Sequence, residues 1–498
     1  MWPGIVPTRS ADRDPTEAGV PVDLVDTDQA GPSVIRGSLM RLGGMVLGTL
    51  ATVASSAVII RHLGVVDTGR FVTVMALVVI VGSISDLGLS AIGVREYTVR
   101  PRAEGERFLR NLVGMRIAFV VAGVAIAVAF AAATDYTATM VIGTLVAGVG
   151  MLLYVIQQSL TIPLHVRLRF GWVAVLQLVF QVGVAVVGVV LALVGAGLLP
   201  FFALWIPVLI PVVALTAIVG GSETQILPAV DAAEWRGMLK RILPYSAAVI
   251  LSVLYFRVVQ IMMSLLSSGT ETGYFGVAFR ILETITAVPP LLVSSALPVL
   301  ARAARDDAHR FDYAGRRLAE TMVLAGVGIA LLLFLGAEFA VDLVAGPGFE
   351  PSVDVLRILA VALIGTFVIA ARGYALLSLG ALRAMLLSNA IAFAVVFAAG
   401  IPLIQAHGAT GGAIALVAAE LMLGLCYEIA LTRGRGQLRP DARFLARVAL
   451  AVAVAAAPAL LLDLPSLVAA LVGGALYAVV LIALRAVPVE VRQALWPA

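Results

Sequence analysis

Cysteine and histidine are scarce in this sequence, which has one cysteine, Cys426, and four histidines. A single thiol cannot form a disulfide within the chain, so we expect no disulfide framework and no cysteine-rich metal site. The histidines lie in different connections without the spacing of metal ligands. They are His62, His165, His309 and His407. We therefore predict no metal site, no cofactor and no catalytic residue, and we interpret Cys426 as a packed thiol.

Charge is also scarce, because only 13% of the residues are charged, whereas 61% are hydrophobic and the mean hydropathy is +1.05. This composition is typical of a polytopic membrane protein and excludes an ordinary soluble domain. The net charge of +4 says little about nucleic acid, and we predict no such partner. The sequence contains no Gly-x-x-x-x-Gly-Lys motif, so we do not expect it to use ATP directly.

Long apolar segments make up most of the chain. About 20 apolar residues span a bilayer as a helix. Fourteen such segments lie near residues 39–60, 71–92, 111–133, 137–160, 171–194, 198–219, 243–266, 273–300, 318–340, 355–379, 384–403, 409–431, 445–463 and 466–486. We predict an all-α membrane protein with about 14 transmembrane helices. The Pro-, Asp- and Thr-rich residues 1–35 are predicted to form a disordered cytoplasmic tail.

Arginine is distributed unevenly between the connections. Loops rich in arginine stay on the cytoplasmic side of a membrane, and here they alternate with loops that have no Lys or Arg. The basic loops lie near 95–110, 167–169, 236–241, 302–317 and 433–443. The first outer connection, with Arg61 and Arg70, is an exception. We expect both termini to be cytoplasmic.

One turn motif occurs twice, about two hundred residues apart. Asp67-Thr68-Gly69-Arg70-Phe71 and Glu271-Thr272-Gly273-Tyr274-Phe275 each follow an apolar segment that begins near an arginine. Repeats in the same orientation are a transporter architecture, with the substrate site where the halves meet. We predict two six-helix lobes in a pseudo-two-fold arrangement. The predicted parts are an N-terminal lobe at 36–220, a cytoplasmic linker at 221–242, a C-terminal lobe at 243–432, and two additional helices with a short cytoplasmic tail at 433–498.

Three charged residues, Arg257, Arg280 and Glu283, lie inside apolar segments of the second half. An ionised side chain at that depth costs about 3 kcal/mol, so it normally faces a bundle interior or a wet cavity. In one interpretation these residues bind an anionic substrate in a central cavity. In the other, Arg280 and Glu283 neutralise one another at i and i+3, and Arg257 pairs elsewhere. Glu283 is also a candidate proton or cation site.

Several short motifs, in order along residues 36–486, resemble those of a known family. They are Arg61-His62-Leu63-Gly64, Thr68-Gly69-Arg70-Phe71, Asp86-Leu87-Gly88-Leu89, Gly346-Pro347-Gly348-Phe349 with Val355-Leu356-Arg357-Ile358-Leu359, and Gly408-Ala409-Thr410-Gly411-Gly412-Ala413-Ile414 with Glu420. The chain resembles the polysaccharide biosynthesis, or lipid-linked oligosaccharide flippase, family. The same superfamily contains the multidrug and toxin extrusion (MATE) antiporters and the lipid II flippases.

The resemblance implies a two-lobed bundle that moves an undecaprenyl-diphosphate-linked oligosaccharide to the outer leaflet by alternating access. It implies a bacterial plasma membrane protein that is not an enzyme, with glycosyltransferases and a polymerase of the same pathway as partners. Guanidinium groups suit such a substrate, because they bind phosphate bidentately. Lesser candidates, with gate or structural roles, are Asp86, Arg61, Arg70 and Arg372. We expect Asp86 to pair with Arg95 or Arg100.

Two other function classes remain open at this point. A multidrug or organic-cation antiporter of the same superfamily should present carboxylates in its cavity, whereas the deep charge here is mostly arginine. A membrane-embedded glycosyltransferase or polymerase usually needs a sizeable outer loop with a catalytic carboxylate or histidine. The longest outer loop, at 336–354, has four carboxylates and no histidine.

Overall fold

The structure is a computed structural model that describes residues 30–221, 227–294, 296–434, 439–462 and 464–488. In this part of the chain all regular secondary structure is helical, which confirms the predicted all-α class. The first helix begins at Ala30, so the last residues of the predicted tail belong to it. Residues 1–29, the rest of that tail, lie outside the described residues.

The helices fall into two successive groups and a final pair. The first group is α1 (Ala30–Asp86), α2 (Leu89–Val99), α3 (Arg102–Ala133), α4 (Ala138–Leu160), α5 (Ile162–Val166), α6 (Phe170–Leu193), α7 (Leu198–Phe202) and α8 (Trp205–Gly220). The second is α9 (Ala232–Leu266), α10 (Gly269–Thr286), α11 (Val288–Ser294), α12 (Leu297–Asp306), α13 (Ala308–Leu335), α14 (Ala337–Val344), α15 (Ser352–Ser378) and α16 (Leu382–Gly434). The pair is α17 (Ala442–Leu461) and α18 (Ser466–Ala483).

Among the described residues, 12 helices are long and apolar enough to cross a membrane, and two of them, α1 and α16, contain a non-helical glycine. Gly64 has φ 69° and Gly408 has φ 54°, in the left-handed region that glycine adopts without a steric penalty. Ser56 and Val72, on either side of Gly64, both contact α10 within one turn, so the chain reverses there. The outer loop predicted between the first two segments is thus a kink, and the count of fourteen crossings stays a prediction.

Each group of helices has its own apolar core. We call α1 to α8 the N-lobe and α9 to α16 the C-lobe. The C-lobe core is a single large cluster that includes Phe275, Phe279 and Phe367. The N-lobe has several smaller clusters, one of them around Val74 and Met151. The α17–α18 pair packs on α13, mostly through apolar side chains.

The lobes touch at the end of the bundle where the connections are poor in arginine, which we call the outer end. There α1 packs against α10, and a Cβ on Gly273 would overlap the backbone of Val65. Tyr136 and Ser264 join α4's lobe to α9 through a hydroxyl–hydroxyl hydrogen bond of 2.5 Å. Because backbone meets backbone here, this end of the space between the lobes is closed.

The lobes also touch at the opposite, inner end. Met238 of α9 lies in one buried apolar cluster with Leu89 and Phe108 of the N-lobe. The hydroxyl of Ser246 donates a hydrogen bond to the carbonyl oxygen of Leu87. Leu87 has φ 47°, an unusual conformation for leucine, at the break between α1 and α2. The break between α1 and α2 thus leaves the carbonyl oxygen of Leu87 free of its own helix, and the hydrogen bond from Ser246 joins the lobes at the inner end.

A set of polar groups ties α3 to the start of α9, and we call Arg107, Asn111, Asp231 and Glu234 the inner latch. Arg107 contacts Asp231 at 2.7 Å and Glu234 at 3.3 Å. Asn111 donates to Glu234 at 2.9 Å. The hydrogen bond from Arg107 lowers the pKa of Asp231 below its ordinary value, and the backbone N–H groups that Asp231 caps add to this effect.

Candidate binding cavity

A cavity of about 350 Å³ lies between the lobes. Helices α1, α4, α6, α7 and α8 line one side of it, and α9 and α10 line the other. All three deep charges predicted from the sequence, Arg257, Arg280 and Glu283, belong to its wall. These residues lie inside the bundle because the apolar faces of α9 and α10 pack in the C-lobe core. The polar faces of the two helices therefore point toward the cavity.

The three charges form one cluster around Glu283. Arg257 binds one carboxylate oxygen of Glu283, and Arg280 lies 3.3 Å from the other. Arg280 also reaches Ser56 of the N-lobe at 3.3 Å. Arg257 further contacts Gln260 at 3.4 Å. One carboxylate thus serves two guanidinium groups.

The sequence allowed two interpretations of these charges, binding of an anionic substrate or neutralisation of one another. The sharing of Glu283 decides between them only in part. Arg280 and Glu283 do pair at i and i+3, but Arg257 pairs with the same carboxylate and not with a distant one. The cluster therefore keeps a net charge of plus one. Arg280 is 39% exposed and Arg257 is 15% exposed, so Arg280 is the more accessible to a ligand. The role of the cluster in binding stays a prediction.

The three lesser arginine candidates lie away from the cavity. Arg61 donates to the carbonyl oxygens of Asp342 and Leu343 at 2.7 and 3.0 Å, at the end of α14. Arg70 pairs with Asp67 at 2.8 Å on its own helix. Arg372 of α15 lies 2.6 Å from Glu428 of α16, which also binds Arg439. None of these three arginines lines the cavity, and their gate or structural roles stay predictions.

The expected pairing of Asp86 with Arg95 or Arg100 stays a prediction, although Arg100 binds other carboxylates. Arg100 binds Glu96 at 2.9 Å and lies 3.7 Å from Glu234, whereas Arg116 donates to Asp86 at 2.9 Å. Arg100 lies beyond the break after α1, which turns it toward the inner latch. The side chain of Arg95, the other expected partner, lies outside the described residues. Asp86 is not on the cavity wall.

Arg116 is a residue that the sequence reasoning missed. It is 3% exposed, and besides Asp86 it binds the hydroxyl of Ser159 at 3.0 Å, so it joins α1, α3 and α4. The signal was present, since Arg116 stands within the third apolar segment. An arginine near the start of such a segment is easily read as the end of a basic loop.

Glu420 is also placed by the structure in a way that the sequence did not indicate. It is almost fully buried in the C-lobe core, where Tyr255 donates to it at 2.8 Å and Thr366 at 3.2 Å. Tyr255 lies on α9, two residues before Arg257. Glu420 therefore fixes the helix that carries one cavity arginine, without reaching the cavity itself.

The neutral polar wall of the cavity was missed as well. Gln177 and Gln181 of α6 line it together with hydroxyl groups of α1. The available signal was two glutamines, four residues apart, within an apolar segment. Among the described residues, no group of three or more His, Cys, Asp or Glu side chains is arranged to hold a metal ion.

The fold and the cavity together define a polytopic membrane protein of two helical lobes around a central, positively charged cavity, the architecture of alternating-access transporters. A family model described as polysaccharide biosynthesis protein matches residues 49–354. The chain belongs to this family, as its motifs indicated. No curated protein matches the chain in sequence.

Solved structures with the same fold come from the superfamily that the motifs resemble. The lipid II flippase MurJ in an inward closed conformation has a TM-score of 0.71 at 14% identity, over 91% of this chain and 99% of MurJ. An inward-facing MATE family multidrug transporter gives 0.62 at 14%, over 79% and 97%. A transporter of the MOP superfamily from Pyrococcus furiosus, described as having a binding pocket of reverse polarity, gives 0.54 at 15%, over 80% and 95%. At these identities the likeness shows the fold.

Proposed function

We infer that the chain is a flippase that moves an undecaprenyl-diphosphate-linked oligosaccharide from the cytoplasmic to the outer leaflet, for the synthesis of a cell-surface polysaccharide. The observation that carries this proposal is the cluster of Arg257, Arg280 and Glu283 on the wall of a cavity between the lobes. Its net positive charge suits an anionic ligand. Membership of a polysaccharide biosynthesis family supports a lipid-linked sugar as the cargo.

The chemistry of the cluster suits a diphosphate in particular. A guanidinium group binds two phosphate oxygens at once and remains charged. Two such groups lie on either side of a single carboxylate, so a diphosphate can take the place of Glu283 on one or both of them. The free-energy cost of placing charged arginines within the membrane is then offset by Glu283 when no ligand is bound and by the phosphates when one is bound.

Alternating access requires that the contacts at the two ends of the cavity break in turn. Opening inward would separate Ser246 from Leu87 and release the inner latch. Opening outward would separate α10 from α1 around Gly273. Both sets lie where α1 to α3 meet α9 and α10, so the lobes can move as units once these contacts break.

An organic-cation antiporter is the second candidate function, and the cavity disfavours it. Glu283 is the one carboxylate among the described residues of the wall, and it already binds two arginines. A ligand cation would meet a net positive charge. An enzyme is disfavoured too, since in the longest outer connection Glu350 accepts from the N–H of Gly348 and Asp354 pairs with Arg357.

The location and organisation of the chain form part of the same proposal. We place it in a bacterial plasma membrane with both termini cytoplasmic, near the glycosyltransferases and polymerase of its pathway. The predicted lobe boundaries and the cytoplasmic linker at 221–242 belong to this arrangement. Reporter fusions at positions 230 and 310 should be active on the cytoplasmic side, and an external signal at either would contradict it.

Translocation of a labelled undecaprenyl-diphosphate oligosaccharide in vesicles tests the function. Wild type should transport it, and Arg257→Ala with Arg280→Ala should lower the rate by at least about tenfold, since each loses charge-assisted hydrogen bonds. Lysine at either site should restore only part of the rate, because it lacks the planar fork. Arg357→Ala, at an exposed pair outside the cavity, is the matched control. Organic-cation efflux without lipid transport would favour the antiporter.

A further inference from the structure

The cavity has two walls of different chemistry. Its charged groups, Arg257, Arg280 and Glu283, all belong to the C-lobe, whereas the N-lobe residues that line it, among those described, carry no formal charge. The N-lobe wall combines hydroxyl groups, two amides and aromatic rings. A ligand with one anionic part and one neutral, hydroxyl-bearing part would match both walls at once.

The two amides are those of Gln177 and Gln181. They stand at i and i+4 on α6, so they share one face of the helix, and both line the cavity. An amide donates and accepts hydrogen bonds, as a sugar hydroxyl does, whereas a phosphate only accepts. The Oε1 atom of Gln181 is buried against Gly48 of α1 and has no hydrogen-bond partner among the described residues. A rotation of this side chain would turn the oxygen toward the cavity that Gln181 lines, where it could accept a hydrogen bond from a ligand.

The position of this polar wall is set by close packing between α1 and α6. Gln181 lies against Gly48, where a Cβ would overlap the amide. One and two turns further along α1, Thr52 and Ser55 reach the same cavity. Their hydroxyls donate to the carbonyls of Gly48 and Thr52, so their oxygen atoms remain able to accept from a ligand.

Aromatic rings lie beside the amides. Phe180, next to Gln181 in sequence, meets Trp205 of α8 with ring centroids 5.9 Å apart and planes at 79°. Aromatic faces with a few placed polar groups are the usual lining of pockets for small organic ligands. The C–H face of a pyranose ring can pack on such a surface while its hydroxyls reach the amides.

We propose that the N-lobe wall is a saccharide subsite for the uncharged sugar next to the diphosphate, with Gln177 and Gln181 as its specificity-determining residues. This inference rests on the proposed function. A sugar carboxylate beside Gln177 and Gln181 would lose its hydration, while the nearby arginines already bind Glu283 or the diphosphate, so the subsite favours a neutral sugar over a uronic acid. The cavity, about 350 Å³, is near the lower end of the roughly 300–1,000 Å³ of ligand pockets. It therefore takes the proximal sugar and not a whole oligosaccharide.

The test compares three lipids on the purified protein: undecaprenyl diphosphate, the same lipid bearing N-acetylglucosamine, and the same lipid bearing galacturonic acid. Wild type should bind the neutral-sugar lipid about tenfold more tightly than the sugar-free lipid, the effect of one or two net hydrogen bonds. It should bind the acidic-sugar lipid no more tightly than the sugar-free one. The Gln177→Met, Gln181→Met variant keeps the side-chain volume and should lose the neutral-sugar preference, with unchanged affinity for the sugar-free lipid.

Gln405→Met, at an exposed glutamine of α16, is the matched control and should behave as wild type. The subsite is overturned if the double variant still binds the neutral-sugar lipid more tightly than the sugar-free lipid. It is also overturned if wild type binds the acidic-sugar lipid as tightly as the neutral-sugar lipid. If the double variant loses as much affinity for the sugar-free lipid as for the neutral-sugar lipid, the glutamines are packing residues, and the subsite is overturned too. Failure of wild type to bind any of the three lipids overturns the proposed function, and the subsite with it.

Discussion

At the scale of single residues, the sharing of Glu283 between Arg257 and Arg280 is the feature with the most direct consequence for binding. A carboxylate and a phosphate compete for the same faces of a guanidinium group. Glu283 compensates part of the positive charge of the cluster, and under the proposed function it would have to release at least one arginine for a diphosphate to bind. Its charge therefore weakens binding and favours release.

Glu283→Gln tests this competition, because it keeps the shape of the side chain and removes its charge. We expect undecaprenyl diphosphate to bind more tightly, by about tenfold if one charge-assisted contact no longer has to be displaced, and to be transported more slowly because it leaves more slowly. Dissociation constants and translocation rates measure the two effects. Glu350→Gln, at an outer loop carboxylate, is the control. Weaker binding by Glu283→Gln would make this carboxylate a positioning group for the arginines.

At the scale of elements, α9 connects the inner latch with the cavity. It has 35 residues, a length of about 52 Å at 1.5 Å per residue. Asp231 caps its first turn by accepting from the N–H groups of Ala233 and Glu234, and it binds Arg107 of the N-lobe. Arg257 lies in the last third of the same helix. A change at the latch can therefore move a cavity arginine.

The latch should depend on pH. The pKa of Asp231 is lowered chiefly by the hydrogen bond from Arg107, so its stabilising contribution is complete above the unfolded-state pKa and is lost as the pH falls through the lower folded-state pKa. We expect the protection of amides at the start of α9 against hydrogen exchange, relative to their intrinsic exchange rate at each pH, to fall below about pH 4, the ordinary aspartate value. Asp231→Asn keeps a good helix cap but loses the ion pair, so the protection there should be lower at neutral pH and less dependent on pH. Identical profiles for both proteins would contradict this prediction.

At the scale of the whole molecule, contacts join the lobes at both ends of the cavity. Packing around Gly273 closes the outer end, and Ser246 on Leu87 closes the inner end. Most of each apolar core lies within one lobe, but Ile60 of α1 belongs to the C-lobe cluster and Ile261 of α9 packs on an N-lobe cluster. Separating the lobes therefore exposes some apolar surface at the interface between them. A rocking motion about the cavity is the movement that this division allows.

A disulfide across the lobes should stop that motion. A Cβ on Gly276 would lie 3.4 Å from the Cβ of Val72, close to the roughly 3.5–4.5 Å of disulfide bonds. We expect Val72→Cys with Gly276→Cys, in a Cys426→Ser background, to cross-link on oxidation and to lose transport, and reduction should restore it. The two single cysteine variants are the controls. Transport at the full rate by the oxidised, cross-linked protein would exclude an outward opening between α1 and α10.

Properties that depend on local composition could be predicted from the sequence. The all-α class follows from long apolar segments, because each helix satisfies its own backbone in a membrane. The three deep charges could be identified for the same reason, since a charge within an apolar segment stands out wherever the helix packs. The motifs also indicated the family correctly.

Properties that depend on which helices meet were decided only by the tertiary structure. Arg116 binds Asp86, thirty residues away, because two chain reversals bring α1 and α3 together. Gly64 turns an expected loop into a kink, which its backbone dihedral angles alone reveal. The neutral wall around Gln177 exists because α6 packs on α1. The sequence by itself determined that this is a membrane protein of this family with buried arginines, since hydropathy is a local property. The shape of the cavity and the identity of its second wall required the fold, because pairing between distant helices has no local signal.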